Sequence, residues 1–492
     1  MKKNTAIILF TAILLGSVGC SNSSGGVETS TVDMEETTDA VVTEELNVME
    51  QRQLIADGLP DKDYDGRVFS IYDWGNGHEM MYTVDTETGD IVNDAVYKRK
   101  ITIESRFNVK LETVVSENNG DGAAHSRECH KLAMAGDDTY ELYTLHSITG
   151  CSLSLQGCFM NLYDVPYIDF EKPWWPDHII DELSLMNQCY VFQAPISEDI
   201  VSGSIIYFFN RDMITDFNLE DPYTLVNNGE WTMDKLKSMI KDTYMDLNGN
   251  NTPDENDQYG LATFIGETYY SPLSAGLDIL TKTSTNLELT VNSEKTVTYV
   301  EKMYSLLNDV NTHLTRTWDL TTLYNIFGEG RALFAFGGLY DAASTYRDTN
   351  INFGMIPLPK LDESQEDYIT FAGRDIHSVP ISVQDAEFAG IIIEAMVAEG
   401  YKNLLPAYYE KALKNKFVRD EAHYREALEA VDIIEQSSSL AFWYMYGDWG
   451  LFVNMGTDLI NADSTDFASY YAKNERTALA RINKIMKFFG KE

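Results

Sequence analysis

The sharpest chemical signal in the chain is a run of oxygen-bearing side chains. From Asp246 to Asp257 the residues read Asp-Leu-Asn-Gly-Asn-Asn-Thr-Pro-Asp-Glu-Asn-Asp. Asp246, Asn248, Asn250, Thr252, Asp254 and Asp257 fall at positions 1, 3, 5, 7, 9 and 12 of that run. Oxygens at this spacing wrap round one point, and calcium takes about 6–8 oxygens at roughly 2.3–2.6 Å. Calcium in a structural role is therefore the expected cofactor, and no organic cofactor is expected. Asn251, Pro253 and Asp257 depart from the usual glycine, apolar residue and glutamate at their positions. Asparagine tolerates the left-handed conformation that the sharp turn needs. The alternative is a polar Asn/Asp/Gly turn that holds no metal.

Other chemistry is poorly supplied. The chain holds no GxSxG, HExxH or phosphate-loop motif. Its cysteines are Cys20, Cys129, Cys151, Cys158 and Cys189, with no CxxC pair, which argues against zinc or dithiol redox work. The last four suit either two disulfides, in any of about three pairings, or buried thiols. Lys+Arg is 37 against Asp+Glu 77, a net charge of −40 over 492 residues. Such a chain repels nucleic acid and anionic lipid. Hydrophobic residues make up 44%, enough for large cores, and aromatics 12%, which also suits stacking surfaces.

The elements that must position these residues can be read from the chain in order. Residues 1–19 pair a basic start with the apolar run Ala6–Leu15 and small residues before Cys20, an export signal too short to span a membrane. Its end resembles a bacterial lipoprotein signal with Cys20 as the lipidated residue, although Ser17 stands where leucine is usual. A cell-membrane anchor on the extracytoplasmic face is expected. Residues 20–65 are rich in Ser, Thr, Gly and acid and read as a flexible tether. Val68–Tyr72, Ile91–Ser105, Phe107–Leu111, Ala123–Ala135 and Tyr140–Leu145 then alternate strand, helix, strand, helix, strand, which argues a parallel sheet covered by helices. Ligands sit beyond the carboxyl ends of such strands, so Asp73 and Trp74, in the loop Asp73-Trp74-Gly75-Asn76 after the first, and His146 after the third are candidate ligand residues. Tyr190–Ala194 reads as a strand entering a first crossing, residues 190–204, and Tyr368–Val379 reads as a second. Ser382-Val-Gln-Asp385 has the form of a capping box before a helix.

Several strings, in order, resemble extracellular solute-binding proteins of ABC importers, most closely the carbohydrate, maltodextrin-binding-like branch. They are Ile205–Met213, Trp231–Leu236, the oxygen-rich loop running into Asp257-Gln-Tyr-Gly-Leu261, Gly330-Arg-Ala-Leu-Phe334 and Phe353–Lys360. Thr88–Tyr97 is similar to a version found in such lipoproteins. The resemblance spans most of residues 66–492 and implies an α/β, two-lobed, periplasmic-binding-protein-like fold (type II), with parallel-sheet lobes joined by hinge strands. The expected boundaries are residues 66–195 with 374–440 for the first lobe, 196–373 for the second, and 441–492 for a C-terminal helical segment. The implied function is capture of an oligosaccharide between the lobes and delivery to the transmembrane subunits of an ABC permease, by a monomer without enzymatic activity.

The resemblance adds candidate ligand residues. Glu198 lies in the hinge passage, Tyr270 where the family has a stacking aromatic, and Tyr340 after Gly337-Gly338. Trp443 and Tyr444 lie in the C-terminal aromatic string, with Asp448 and Trp449 close by. The expected function has rivals: a sensor lipoprotein presenting ligand to a receptor, and a binder of peptide or another solute. A glycoside hydrolase needs two carboxylates about 5–10 Å apart, and no motif here organises such a pair.

Overall fold

The computed structural model describes residues 48–75, 81–408 and 424–490, all of them within the compact unit Asn47–Glu492. The signal segment, Cys20, the tether as far as residue 47, Asn76 and residues 409–423 lie outside the described residues.

Two sheets organise the chain. The first takes β1 (Arg67–Asp73), β2 (Val109–Val115) and β3 (Leu142–His146). The second takes β4 (Ile205–Asn210), β5 (Tyr259–Phe264), β6 (Thr312–Thr315), β7 (Ala332–Gly338) and β8 (Phe353–Pro357), and β9 (Asp375–Ser378) returns to the first. The strand orders are β9-β3-β1-β2 and β8-β4-β7-β5-β6. In the first sheet β1 runs parallel to β2 and β3, so Asp73, Val115 and His146 end on one edge. In the second, β5 runs parallel to β6 and β7. Both sheets are mixed, however. β9 pairs antiparallel with β3, and β4 pairs antiparallel with β7 and β8. Strands arriving from a crossing run back from the hinge, while strands fed by helices run toward it.

The crossings enter both sheets at the edge where the helix-fed strands end. Asp375 pairs with His146, Ile205 pairs with Gly338, and Ser204 bridges Ala372 between the two crossings. The ligand edges of the two lobes therefore face one another across the hinge. The C-terminal segment adds a third link. Phe442 N–H donates to Glu182 Oε2 at 2.9 Å on the first-lobe side, and Thr268 of the second lobe meets Thr457 at 2.7 Å. The ribbon of Thr370–Phe371 with Ser438–Ser439 ties this segment to the second crossing.

Three expectations about local structure change. Residues 48–65, read as the end of the tether, dock on the first lobe: Arg106 binds Asp57, Lys62 binds Glu387, and the Tyr64 ring packs edge-on to Phe388 at 4.7 Å. Tyr190–Ala194 is extended but not a ladder strand. Only Phe192 pairs, with His377, and its ring packs between His377 (5.2 Å) and Trp175 (5.3 Å). The capping box at Ser382 does not form, because Asp385 itself accepts the Phe388 N–H at 3.0 Å and starts the helix Ala386–Glu399. Cys129, Cys151, Cys158 and Cys189 are all buried thiols, not disulfides.

The pair Trp174-Trp175 is pinned from below. Glu394, 1% exposed, accepts the Trp174 indole N–H at 2.7 Å on Oε1 and that of Trp175 at 2.9 Å on Oε2. Both indoles are fully buried. The apolar run before the helix Asp177–Leu183 is thus a structural clip, with a carboxylate as its pin.

Candidate functional site

On the first lobe, Trp74 and His146 form a corner at the ends of β1 and β3. Their rings meet edge to face at 5.7 Å and 86°. The Trp74 indole N–H donates to Asp375 Oδ1 at 3.1 Å. Gly122 lets them close up, since a Cβ there would stand 2.6 Å from the Cβ of His146. Asp73 faces inward, fully buried. It accepts the Thr144 hydroxyl on Oδ1 and the Gly75 N–H at 2.9 Å on Oδ2, so it fixes the turn that presents Trp74. Trp74 is itself buried, while His146 is half-buried.

At the hinge, Glu198 precedes the helical turn Asp199–Ser202 and lies within electrostatic range of Arg99 and Tyr408. Arg99 is buried and donates to the carbonyls of Ile196, Met81 and Tyr82 at 2.6–3.0 Å, and burial pulls its pKa down to about 10. The Asp199 carboxylate accepts the Asp375 N–H at 3.0 Å. Tyr340 turns back over Gly338, where a Cβ would come within 2.2 Å of its ring. The other face of the hinge brings the Arg374 guanidinium to 4.9 Å from the Tyr340 ring centroid.

The second lobe supplies aromatic planes. The helix Glu267–Ser274 carries Tyr269 and Tyr270 next to each other. Tyr270 stacks on Phe336 at 6.1 Å and 20°, and packs against Phe371 and Tyr444. Tyr444 and Trp443 are both buried, so they support the platform more than they face it. Tyr269 is parallel to Trp318 (5.8 Å, 5°) and steeply inclined to Trp449 (5.4 Å, 70°). Those two indoles are the open ones, 61% and 41% exposed. Trp318 stands just past β6, on the ligand edge. Trp449 stands on a turn where Asp448 and Trp449 have φ of 49° and 62°. A bulky residue there costs of order 1–3 kcal/mol, and such strain persists only when its surroundings impose it. Here Arg481 holds the turn, donating to the Tyr446 carbonyl at 2.7 and 2.9 Å and to Asp448 at 3.3 Å.

Beneath the platform Glu267 is fully buried. The hydroxyls of Tyr207 and Thr263 donate to its two oxygens, joining β4 and β5 to the helix that carries Tyr269. Burial raises its pKa to about 7, against those two hydrogen bonds.

The oxygen-rich loop lies between the helix Met233–Met239 and β5, at the end of the second sheet remote from the hinge. Asp246 accepts the Gly249 and Asn251 N–H groups at 2.7 and 2.8 Å, and Asn251 has φ of 57°. The amides of Asn248 and Asn250 turn onto Asp254 at 2.5–3.1 Å. Positions 3, 5 and 9 thus converge on one point, and rotating two amides would place oxygens where a hard cation needs them. Asp257 accepts the Leu247 N–H and the Tyr244 hydroxyl, while Thr252 offers its backbone carbonyl by the same spacing. The donor set fits calcium in type. Among the described residues no group of three His, Cys, Asp or Glu is placed to hold a metal, so the amides would be essential.

No known family's sequence profile matches the chain, and no curated protein matches it. Solved structures do. The galacto-N-biose-/lacto-N-biose I-binding protein of the ABC transporter from Bifidobacterium longum, in complex with lacto-N-biose, gives a TM-score of 0.56 at 9% identity, covering 87% of this chain and 99% of its own. A maltose/maltodextrin-binding domain from Bdellovibrio bacteriovorus, bound to maltotriose, gives 0.53 at 13% identity over 85% of this chain and 99% of that one. A cyclo/maltodextrin-binding protein complexed with maltotetraose gives 0.53 at 15% over 87% and 97%. The chain has the solute-binding-protein fold. These three structures are sugar-binding proteins, and the first of them is a component of an ABC transporter.

Within the solute-binding fold, Trp74, His146, Tyr270 and Tyr340 gather on the facing edges. Glu198 sits at the hinge, Asp73 is turned inward, and Trp443 and Tyr444 lie behind the aromatic platform. Sequence reasoning did not select Trp318, Tyr269 or Arg374. Trp318 had one available signal, an aromatic just past Thr312–Thr315, but that strand was not read.

Proposed function

We propose that this protein captures an oligosaccharide between its lobes and hands it to an ABC permease, held at the outer face of the membrane through Cys20. The observation that carries the reading is the pair of open indoles, Trp318 and Trp449, set on Tyr269 at the ligand edge of the second lobe. Sugars offer weakly apolar C–H faces, and exposed aromatic planes beside a hinge suit them. Hinge closure on the sugar is the switch that a permease would recognise. Thermal shift over panels of oligosaccharides, peptides and polyamines tests it, because a ligand that binds only the folded state raises the melting temperature. A response confined to peptides or polyamines would sink the carbohydrate reading, and turnover of the sugar would sink the binding reading.

Trp318→Ala should leave the melting temperature of the ligand-free protein unchanged, since the side chain is mostly exposed. It should weaken binding of the responding sugar about 2- to 12-fold, the loss of a stacking contribution of roughly 0.5–1.5 kcal/mol. Isothermal titration of variant and parent checks this.

The loop Asp246–Asp257 is proposed to take calcium as a structural ion. Chelation should lower the melting temperature and leave sugar affinity nearly unchanged while the lobe stays folded, because the loop is remote from the hinge edge. Loss of affinity without loss of stability would contradict that placement.

A further inference from the structure

The hinge carries a cation without a counter-charge in contact. Arg374 lies between Thr370–Phe371 and β9, half-buried, one residue before the Asp375 that pairs with His146. Its backbone carbonyl accepts the Ser147 N–H at 3.1 Å. Its guanidinium lies over the Tyr340 ring, and among the described residues no hydrogen-bond acceptor is in reach of its N–H groups. Arg67, Arg106, Arg211, Arg331 and Arg481 each contact a carboxylate. The acid nearest in influence, Asp341, is committed elsewhere: it accepts the Gly338 N–H at 2.9 Å and the Thr345 hydroxyl at 2.7 Å.

A guanidinium stacked on a ring keeps its donors in its own plane, open to a planar partner. Its five N–H groups match a carboxylate bidentately. Trp74 and His146 stand on the same edge of the first sheet, and Tyr340 and Tyr270 close the other side, so a group held here would sit within the proposed cleft. A phosphate monoester would bring more charge than one arginine balances, with Asp341 close behind it, and a sulfate ester, though singly charged, is tetrahedral where the guanidinium fork matches a planar group. The geometry points to a ligand that carries a carboxylate, a uronic-acid-containing oligosaccharide, with Arg374 as the residue that selects it. The inference rests on the carbohydrate reading above and narrows its substrate class.

The test pairs each acidic sugar with its neutral twin. Oligogalacturonides and oligouronates from alginate are titrated beside the same oligosaccharides after carboxyl reduction, with sulfated oligosaccharides as a third arm. The parent protein should bind an acidic member on the order of 10- to 100-fold more tightly than its reduced form. Arg374→Gln should erase that preference while leaving weak binding of the neutral form. Arg374→Lys, which keeps the charge and loses the fork, should retain part of it, and melting curves of both variants confirm folding. Equal or tighter binding of the reduced form, an equal loss of both forms in Arg374→Gln, or preference for the sulfated arm would overturn the inference while the carbohydrate reading stands. Failure of every sugar, acidic and neutral, would overturn both.

Discussion

Glu394→Ala should lower the unfolding free energy by roughly 2–6 kcal/mol, because two buried indole N–H groups lose their acceptor at about 1–3 kcal/mol each, while the part-buried Asp169 N–H loses only a long contact at 3.4 Å. Trp174 and Trp175 cannot turn outward to water. Trp175 is wedged between Phe170 and Phe192, at 5.1 and 5.3 Å, and Trp174 lies under Lys402. The penalty is a large share of a typical total stability of about 5–15 kcal/mol. Glu394→Gln should cost less, since its amide oxygen keeps one indole, but its NH₂ would face the other donor. Urea denaturation of the parent and both variants should rank them parent, Gln, Ala. A loss below about 1 kcal/mol for the alanine variant would mean that water or a shifted backbone replaces the pin.

Glu267→Gln should stabilise the protein, and only above the acid range. The folded-state pKa of Glu267 is about 7, against an ordinary value of 4.5. The folded state therefore binds more protons than the unfolded state between those values, and stability falls as pH rises through that window. Glutamine resembles the protonated acid. It can accept from one hydroxyl, of Tyr207 or Thr263, and donate to the other. The variant should match its parent near pH 4 and exceed it by about 3 kcal/mol above pH 7, since one pKa unit corresponds to about 1.4 kcal/mol. Other groups run with or against this trend. Glu394 is likewise raised to about 7 by burial, while His125 and His377 are lowered to about 4, so their contribution is lost as pH falls from 6.5 toward 4. The difference between variant and parent removes these shared terms. A constant difference across the range of about pH 4–8 would show that Glu267 does not titrate in the window.

The first lobe was legible because β1, β2 and β3 are short apolar runs separated by amphipathic helices, a pattern set by local burial. The antiparallel strands were not, since nothing within Ile205–Asn210 or Asp375–Ser378 records the direction of its neighbour. The same limit governed the site. Trp74 and His146 follow from strand ends. Tyr269 and Trp318 become a platform only when β5 and β6 lie side by side and bring residues about fifty positions apart into one stack. Arg374 is ordinary as a residue type. It stands out only through the ring beneath it and the acceptors it lacks. Asp73 shows the reverse error of reasoning from position, as the strand end placed it at the ligand edge and Thr144 drew its carboxylate inward.

The four buried thiols turn the first lobe into its own clock. Cys151 and Cys189 are near neighbours, and burial raises the pKa of Cys189 to about 11 and that of Cys158 to about 12. None forms much thiolate while its surroundings stay packed, so alkylation proceeds only through opening of the lobe, and its rate counts those openings.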